Sequence, residues 1–280
     1  MAKLFGCLIN EAQLVSHALH PYRELLAVSE AESPFGWGLS HHLQQDVLSK
    51  RRPRHMGSLD FYKKVEGIQA TAIVGSVRRL KMGRTIPENT QPFRFRTWSS
   101  AHSGFVSRFD KIRPWIINSI PDFLRRNIRG ETDSEHLFHL FLAFLYDEGL
   151  LDVHDLPAEL LAKAMRNTCR TVQRFLDDAG GGDPELNLLV TNGRVMVMAV
   201  DSTPVYYTQL SGLTDCAVCR RPSDTWNPEI KRRDHDNLKL ALILTNPPDH
   251  ADLRDLTRQE PKTLVAADQS FNVFTLPMVG

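Results

Sequence analysis

The chain has 280 residues, of which 42% are hydrophobic and 24% charged, a balance typical of a globular protein with a substantial buried core. Its 34 Lys and Arg against 33 Asp and Glu leave a formal charge of +1, which predicts neither nucleic acid nor a membrane surface as partner. Four cysteines, the lack of a signal peptide and the lack of any apolar run near 18 residues predict a cytoplasmic protein without a membrane span.

Short strands and turns are predicted in the first 106 residues. Residues 3–10 form an apolar run typical of a buried strand, and residues 71–77 form a second one rich in β-branched side chains. The other predicted elements here are a helix over 21–29, a turn feeding a strand over 33–39, a half-exposed strand over 93–98 and a strand running into a glycine turn over 98–106. Three basic clusters, at 50–54, 125–126 and 231–233, are interpreted as solvated loops or helix ends.

Helices are predicted in the middle of the chain. Residues 107–129 form a helix that we expect to break near Pro114 and Pro121. The strongest helix signal follows, because Thr132 is a good N-cap, Glu135 stands three residues later as a capping box requires, and an apolar run comes next. A further helix is predicted over 157–177.

Strands return after the glycine loop at 180–182. They are predicted at 186–190, 195–200, 205–210, 238–244, 263–266 and 271–276, with an Asn192-Gly193 hairpin turn between the first two. Strands, then central helices, then strands favour a layered α+β fold over a βαβ pattern. We expect residues 1–280 to form a single domain.

Six short segments stand in order along the first half of the chain. They are Met1-Ala2-Lys3-Leu4-Phe5-Gly6, Gly36-Trp37-Gly38-Leu39, Ser76-Val77-Arg78-Arg79-Leu80-Lys81-Met82-Gly83, Glu88-Asn89-Thr90-Gln91-Pro92-Phe93, Ser100-Ala101-His102-Ser103-Gly104 and Thr132-Asp133-Ser134-Glu135. They resemble the class II glutamine amidotransferase domain, in particular its small stand-alone bacterial type. The family segments read Met-Cys-Arg-Leu-Phe/Leu-Gly, Gly-Trp-Gly-Ile, His-Val-Arg-Arg-Ala-Thr-x-Gly, Glu-Asn-x-His-Pro-Phe, Phe-Ala-His-Asn-Gly and Thr-Asp-Ser-Glu. The resemblance is good from residue 2 to about residue 146.

The resemblance implies a fold and a chemistry. The fold is a four-layer αββα sandwich, in which two antiparallel sheets stack between helical layers. In the family an N-terminal Cys attacks the side-chain amide of glutamine, with its own α-amine as base. The Asn-Gly pair, here Ser103 and Gly104, stabilises the oxyanion. Arg78 is implied to bind the α-carboxylate of the substrate and Asp133 its α-ammonium, and His102 is grouped with them as a substrate-binding residue.

The nucleophile position and the oxyanion position both depart from the family pattern. Ala2 has no nucleophilic atom, although removal of the initiator Met would leave its amine free. Ser103 has a shorter side chain than asparagine, and losing such an oxyanion donor costs roughly 3 kcal/mol of transition-state stabilisation. Together with Ser76 and Lys81, these departures favour a catalytically inactive or severely weakened protein that acts by binding a ligand or a protein partner. The alternative is an active, ammonia-releasing glutamine hydrolase into which Ala2 was introduced in place of Cys.

Arg78 and Asp133 together predict that a pocket for glutamine or a related small amino acid is retained. Taken one at a time, Arg78 is explained by a strand-end ion pair and Asp133 by the helix dipole. Without a ligand the two side chains could also pair with each other.

No metal or cofactor is predicted. Cys216 and Cys219 form a lone CxxC, with His235 and His250 downstream, but a second ligand pair at zinc-finger spacing is absent. A buried or turn cysteine pair is therefore the preferred interpretation. His41 and His42, and likewise the His136 and His139 pair, are expected to pack or cap, and the glycine run at 180–182 lacks the Lys-Ser/Thr of a phosphate loop.

Overall fold

The computed structural model describes residues 2–29, 33–79, 83–214, 216–219 and 235–278. The basic cluster at 231–233 and the substitution at Lys81 lie outside these residues. None of the helices in the described ranges is long and apolar enough to cross a membrane.

Two large antiparallel sheets form the centre of the molecule. The strands, in chain order, are β1 (Ala2–Ile9), β2 (Ala27–Val28), β3 (Phe35–Leu43), β4 (Asp46–His55), β5 (Leu59–Asp60), β6 (Ala72–Arg78), β7 (Phe93–Phe95), β8 (Trp98–Ser103), β9 (Asn187–Thr191), β10 (Met196–Val200), β11 (Val205–Leu213), β12 (His235–Thr245), β13 (Thr257–Gln259), β14 (Thr263–Ala267) and β15 (Val273–Pro277). The seven-stranded sheet has the order β13-β11-β12-β1-β6-β3-β4, and the six-stranded sheet has the order β15-β14-β10-β9-β8-β7.

The central strands carry apolar side chains on both faces. One face of each sheet packs against the other sheet. Along β1, Leu4 and Leu8 pack in one cluster with Met196 and Met198 of the other sheet, whereas Phe5 and the other intervening side chains pack in a second cluster on the opposite face. Side chains separated by two residues point to the same face of a strand. Both faces of each central strand are therefore buried, which explains the near-continuous apolar runs in the sequence.

Helices cover the two outer faces. They are α1 (Val15–Leu19), α2 (Phe61–Val65), α3 (Phe109–Asn118), α4 (Asp122–Arg125), α5 (Asp133–Asp147) and α6 (Ala158–Asp178), with 3₁₀ helices at Ala12–Leu14, His20–Leu26 and Pro87–Asn89. Side chains of α1 and α2 pack on the seven-stranded sheet, and those of α3 to α6 pack on the six-stranded sheet. This confirms the α+β fold with two antiparallel sheets between helical layers.

The sequence prediction was wrong at several elements. The region predicted as a helix over 21–29 is a 3₁₀ helix followed by the short strand β2. Residues 93–98 form two strands, since the chain turns at Arg96 with φ 50°. Helix α3 continues through Pro114, which is an exposed residue at the sixth of its ten positions, and the helix ends at Asn118, before Pro121.

The basic cluster at 50–54 was also misjudged. It lies on β4, an edge strand of the seven-stranded sheet, and not in a loop or at a helix end. Charged side chains are common on edge strands because they discourage pairing with another chain. Strand β4 was not predicted because its polar side chains, which suit an edge strand, do not form the apolar pattern by which strands are recognised.

Candidate functional site

Three strand ends bring the first part of the site together. In the register of the seven-stranded sheet, Arg78 at the end of β6 lies opposite Ala2 of β1 on one side and opposite Gly36 of β3 on the other. The β-branched run before Arg78 forms a buried strand, so its backbone position is set by pairing on both sides. The residue at the predicted nucleophile position and the predicted carboxylate-binding residue are therefore cross-strand neighbours.

The Arg78 guanidinium contacts three groups of the protein. Its Nη1 donates to Ser134 Oγ, and its Nη2 donates to the carbonyl oxygen of Gly104 at 2.8 Å. Nη2 also lies 3.5 Å from Asp133 Oδ1, and the side chains of this ion pair are 12% and 0% exposed, respectively. The two residues predicted to bind the opposite ends of glutamine thus pair with each other in this structure.

Asp133 is the first residue of α5 and is buried at the helix start. The N-cap prediction for Thr132 is confirmed, since Thr132 Oγ1 accepts a hydrogen bond from the Glu135 backbone N–H at 3.4 Å. Asp133 Oδ2 accepts from the Val106 N–H at 3.0 Å, and Oδ1 accepts from the Ser134 N–H at 2.8 Å. Burial by itself would raise the pKa of Asp133, but His102, Arg78 and these N–H donors hold it below its usual value. The carboxylate is therefore ionised at neutral pH.

Ser134 connects the elements of the site. Its hydroxyl lies 2.9 Å from His102 Nδ1 and accepts from Arg78, and the amide of Gln91 donates to it at 3.3 Å. The other ring nitrogen of His102, Nε2, lies 2.7 Å from the carbonyl oxygen of Glu185, so this nitrogen carries the proton and Nδ1 is unprotonated. The single proton of the Ser134 hydroxyl is within reach of this Nδ1 and of Asp133 Oδ1, which lies 3.1 Å from the hydroxyl oxygen. Burial lowers the pKa of His102 to about 4, and the ring is neutral at physiological pH.

The other family-like segments hold this network in place. Gln91 pairs with the backbone of His102 through two bonds, accepting from its N–H and donating to its carbonyl oxygen at 3.0 Å. Asn89 Oδ1 accepts from the Glu131 N–H at 2.8 Å, just before the N-cap of α5. The capping box is incomplete, because the Glu135 carboxylate accepts from the N–H groups at 129 and 130 instead of that of Thr132. The shared motifs are thus mutually hydrogen-bonded parts of one scaffold.

Gly104 has a conformation and surroundings that exclude other residues. Its φ is 148°, and a Cβ atom there would lie 1.9 Å from the carbonyl oxygen of Glu185. Ser103 precedes it as the last residue of β8 and is 8% exposed. Residue 104 must therefore be glycine, whereas Ser103 stands where the resemblance implies asparagine.

The space next to Arg78 is small. A cavity of about 10 Å³, room for roughly one water molecule, is lined by Gly36, Ser76, Arg78, Asn89, Thr90 and Gln91. A wider cavity of about 460 Å³ lies beside Lys3, next to Ala2 in β1. The Lys3 ammonium donates to the carbonyl oxygens of Leu25 and Ala27 at 2.6 and 2.5 Å, and burial lowers its pKa to about 8.

The predicted site residues are brought into one region by backbone pairing and side-chain contacts. Arg78 is the centre, with Ala2 as its strand partner and Gly104, Asp133 and, through Ser134, His102 as its side-chain partners. Two connecting residues, Ser134 and Gln91, were present in the quoted motifs but were given no role. A role for them could have been predicted because their polar side chains stand within otherwise buried segments. The role of every one of these residues in binding or catalysis stays a prediction.

One group of metal-ligating side chains occurs elsewhere in the described residues. His17, Cys216, Cys219 and His235 have ligand atoms that all lie within 4.8 Å of one another. From the sequence, a buried or turn cysteine pair was preferred over zinc because no second ligand pair stood at zinc-finger spacing, and His17 lies 199 positions away from Cys216.

Comparison with known proteins decides the family. The family model for class II glutamine amidotransferases matches residues 1–257. The chain belongs to this family. A stretch of 143 residues is 29% identical to Probable glutamine amidotransferase DUG3 of Saccharomyces cerevisiae, covering 48% of this family member and 40% of the yeast protein.

Solved structures share the fold at low sequence identity. A glutamine aminotransferase class-II domain protein from Silicibacter pomeroyi superposes with a TM-score of 0.55 at 16% identity, over 99% of this chain and 100% of that one. A predicted glutamine amidotransferase from Pseudomonas aeruginosa gives 0.56 at 17% identity, over 97% and 99%. Glutamine phosphoribosylpyrophosphate amidotransferase from B. subtilis gives 0.53 at 14% identity, over 99% of this chain but 49% of that protein. The bacterial origin and the single-domain boundary at 280 stay predictions.

Proposed function

We propose that this member of the class II glutamine amidotransferase family does not hydrolyse glutamine when residue 2 is alanine, and that it acts by binding a small ligand or a protein partner. The observation that supports this most directly is the residue at the start of β1. The resemblance implies a nucleophile at the position of Ala2, and in the sheet Ala2 pairs with Arg78, for which the resemblance implies binding of the substrate carboxylate. An alanine cannot form the covalent intermediate on which the family chemistry depends.

No other thiol in β1 can replace the missing one. Cys7 is five residues further along the strand, about 17 Å away at the usual rise per residue. It is buried in the cluster beneath the outer helices, and burial raises the pKa of its thiol to about 12. A thiol in this environment is neither ionised nor accessible to an amide substrate.

The ligand that fits the charges of the site is a zwitterion. An amino acid that enters between Arg78 and Asp133 would place its carboxylate on the guanidinium and its ammonium on the carboxylate, so both buried charges would stay paired. The ligand must open the 3.5 Å contact between the two side chains, because the present cavity holds about one water molecule. The cavity of about 460 Å³ beside Lys3 is a separate space, because Lys3 points to the face of β1 opposite to that of Ala2 and none of its lining residues borders the Arg78 cavity.

Ammonia release from glutamine tests the catalytic half of the proposal. The unaltered chain is expected to release none above buffer, and Ala2→Cys alone is expected to restore little. Ala2→Cys combined with Ser103→Asn is expected to restore more, because an oxyanion donor contributes roughly 10²–10³ in rate and acts together with the nucleophile. Ala2→Ser is the matched control, and intact mass shows whether the initiator Met has been removed.

Two results would change this conclusion. Ammonia release by the unaltered chain would contradict it outright, and loss of that release in Cys7→Ala would identify Cys7 as its source. Strong release by Ala2→Cys alone would show that Ser103 is tolerated. It would then favour the alternative, an active hydrolase in which Ala2 was introduced, which the retained Arg78 and Gly104 also support.

Calorimetric titration with glutamine, glutamate and asparagine tests the binding half. Binding tighter than about 10 mM, or roughly 3 kcal/mol, is expected for at least one of them. Arg78→Lys is expected to weaken this binding, because a lysine cannot form two parallel hydrogen bonds with a carboxylate. Arg96→Lys, at an exposed arginine, is the control. If none of the three binds below about 10 mM, the partner must be a protein or a different ligand.

A further inference from the structure

Three separate parts of the chain meet at the far end of the seven-stranded sheet. His17 comes from helix α1, Cys216 and Cys219 come from the turn after β11, and His235 is the first residue of β12. The Cys219 N–H donates to the Cys216 carbonyl oxygen at 3.1 Å, which closes the turn and puts both thiols on one side. His17 and Cys216 are separated by 199 positions in the sequence.

The distances between the ligand atoms match one tetrahedral ion. Cys216 Sγ and Cys219 Sγ lie 3.3 and 3.4 Å from His17 Nδ1, and Cys219 Sγ lies 3.4 Å from His235 Nε2. With zinc–sulfur bonds of about 2.3 Å and zinc–nitrogen bonds of about 2.0–2.1 Å, the sulfur-to-nitrogen edge of a regular tetrahedron is roughly 3.5 Å. Three sulfur-to-nitrogen distances therefore have nearly the length expected of a filled site, and all four ligand atoms lie within 4.8 Å of one another.

Hydrogen bonding within the group is a poorer explanation of this geometry. Two sulfur atoms approach the same nitrogen of His17, and a neutral imidazole nitrogen offers either one lone pair or one proton. A cation at the centre is bound by all four atoms at once. We propose that His17, Cys216, Cys219 and His235 bind one structural zinc ion.

The ligand set selects the metal. Two thiolates and two imidazoles in a tetrahedral arrangement are typical of zinc. A two-iron cluster with two Cys and two His ligands holds the pairs on different irons, whereas here both sulfurs contact imidazole nitrogens. Because all four positions are filled by protein side chains, no position is left for a substrate or water, and the ion is structural.

The ion would tie the outer helical layer to the sheet. It would join α1, which packs on the sheet through Val15, Ala18 and Leu19, to the chain between β11 and β12. The opposite end of β12, Thr245, hydrogen-bonds to Leu4 near the candidate site, and ten residue steps separate it from His235, about 33 Å. The zinc proposal thus stands independently of the function proposed for the Arg78 region.

Metal analysis of the whole chain, purified without chelators, tests the proposal. About one zinc ion per chain is expected, and Cys216→Ser and Cys219→Ser are each expected to lose it. Since changes outside the ligand shell already cost roughly 10–100-fold in metal affinity, losing a ligand should cost at least about 100-fold. Cys169→Ser and His20→Gln, at a buried cysteine and at a neighbouring histidine, are the matched controls and should keep the metal.

A second measurement does not depend on the folding of variants. Zinc is removed from the wild-type protein with a chelator and cobalt is added, and the visible absorption of tetrahedral cobalt with its thiolate charge-transfer band is expected. Zinc-free protein that takes up no cobalt would overturn the proposal. So would retention of zinc in Cys219→Ser, or an intact mass showing Cys216 and Cys219 oxidised to a disulfide in the native protein.

Discussion

The two ends of the seven-stranded sheet each have a cluster of polar side chains, and the two clusters differ in the chemistry of their groups. The site at the β6 end contains a positive guanidinium, a negative carboxylate, a hydroxyl and a neutral imidazole. These groups are joined to one another by an ion pair and hydrogen bonds. At the far end, two thiols and two imidazoles can all act as electron-pair donors toward one cation. A self-satisfied network needs no ligand and must be opened by one, whereas a group of like donors calls for a cation.

The largest expected effect breaks the self-satisfied end. Asp133→Asn keeps the shape of the side chain but leaves Arg78 buried without its counter-charge, and losing one partner of a buried pair costs about 3–5 kcal/mol. Denaturant unfolding measures this free energy. Glu148→Gln, in the exposed pair with Lys163, is the control and should cost under about 1 kcal/mol. Equal effects at the two sites would mean that Asp133 is not the counter-charge of Arg78.

Removing zinc is the corresponding test of the other end. A ligand present at 100–1,000 times its Kd stabilises the folded state by about 2.7–4.1 kcal/mol, so chelation is expected to lower the free energy of unfolding by roughly that amount. The measurement is denaturant unfolding with and without chelator. Re-addition of zinc should restore the midpoint, and magnesium should not. An unchanged midpoint after verified zinc removal would show that the ion does not stabilise the fold.

Acid is expected to weaken the Arg78 end through His102. The folded-state pKa of His102 is lowered to about 4 by burial, below the 6.5 of an exposed histidine. Between these values the unfolded chain binds more protons, so the stability that His102 contributes is complete above about pH 6.5 and is lost as pH falls towards 4. The stability difference between the wild type and His102→Gln should therefore shrink by up to about 3 kcal/mol over this range. A difference that does not vary with pH would contradict this assignment.

The smallest expected effect sharpens the role of Ser134. Ser134→Ala removes the hydroxyl that links Arg78, Gln91 and His102, and leaving their polar groups without this partner costs about 1–3 kcal/mol. Ser119→Ala, at an exposed hydroxyl that bonds within its own helix, is the control and should lie within about 0.5 kcal/mol. The two variants can be compared by thermal unfolding. If they have the same effect, the network is held by the backbone alone.

Local sequence patterns were enough to predict the family, the layered fold and the start of helix α5. The six segments identified the class II glutamine amidotransferase family, and the apolar runs predicted most of the central strands. Thr132 was recognisable as an N-cap because capping depends on residues within a single turn. The polar edge strand β4 and the short helix α2 were missed, because neither carries an apolar pattern long enough to detect.

What the sequence by itself determined, then, is what depends on neighbours in the chain: family membership, the alternation that stacks two sheets, and the absence of a thiol at position 2. The tertiary structure alone decided which polar groups meet. It showed that Arg78 and Asp133, 55 positions apart, pair with each other, and that His17 lies beside the cysteine pair of a distant turn. The physical reason is that charge pairing and metal coordination depend on distances of a few ångströms in space, which strand pairing sets and which no spacing along the chain reveals.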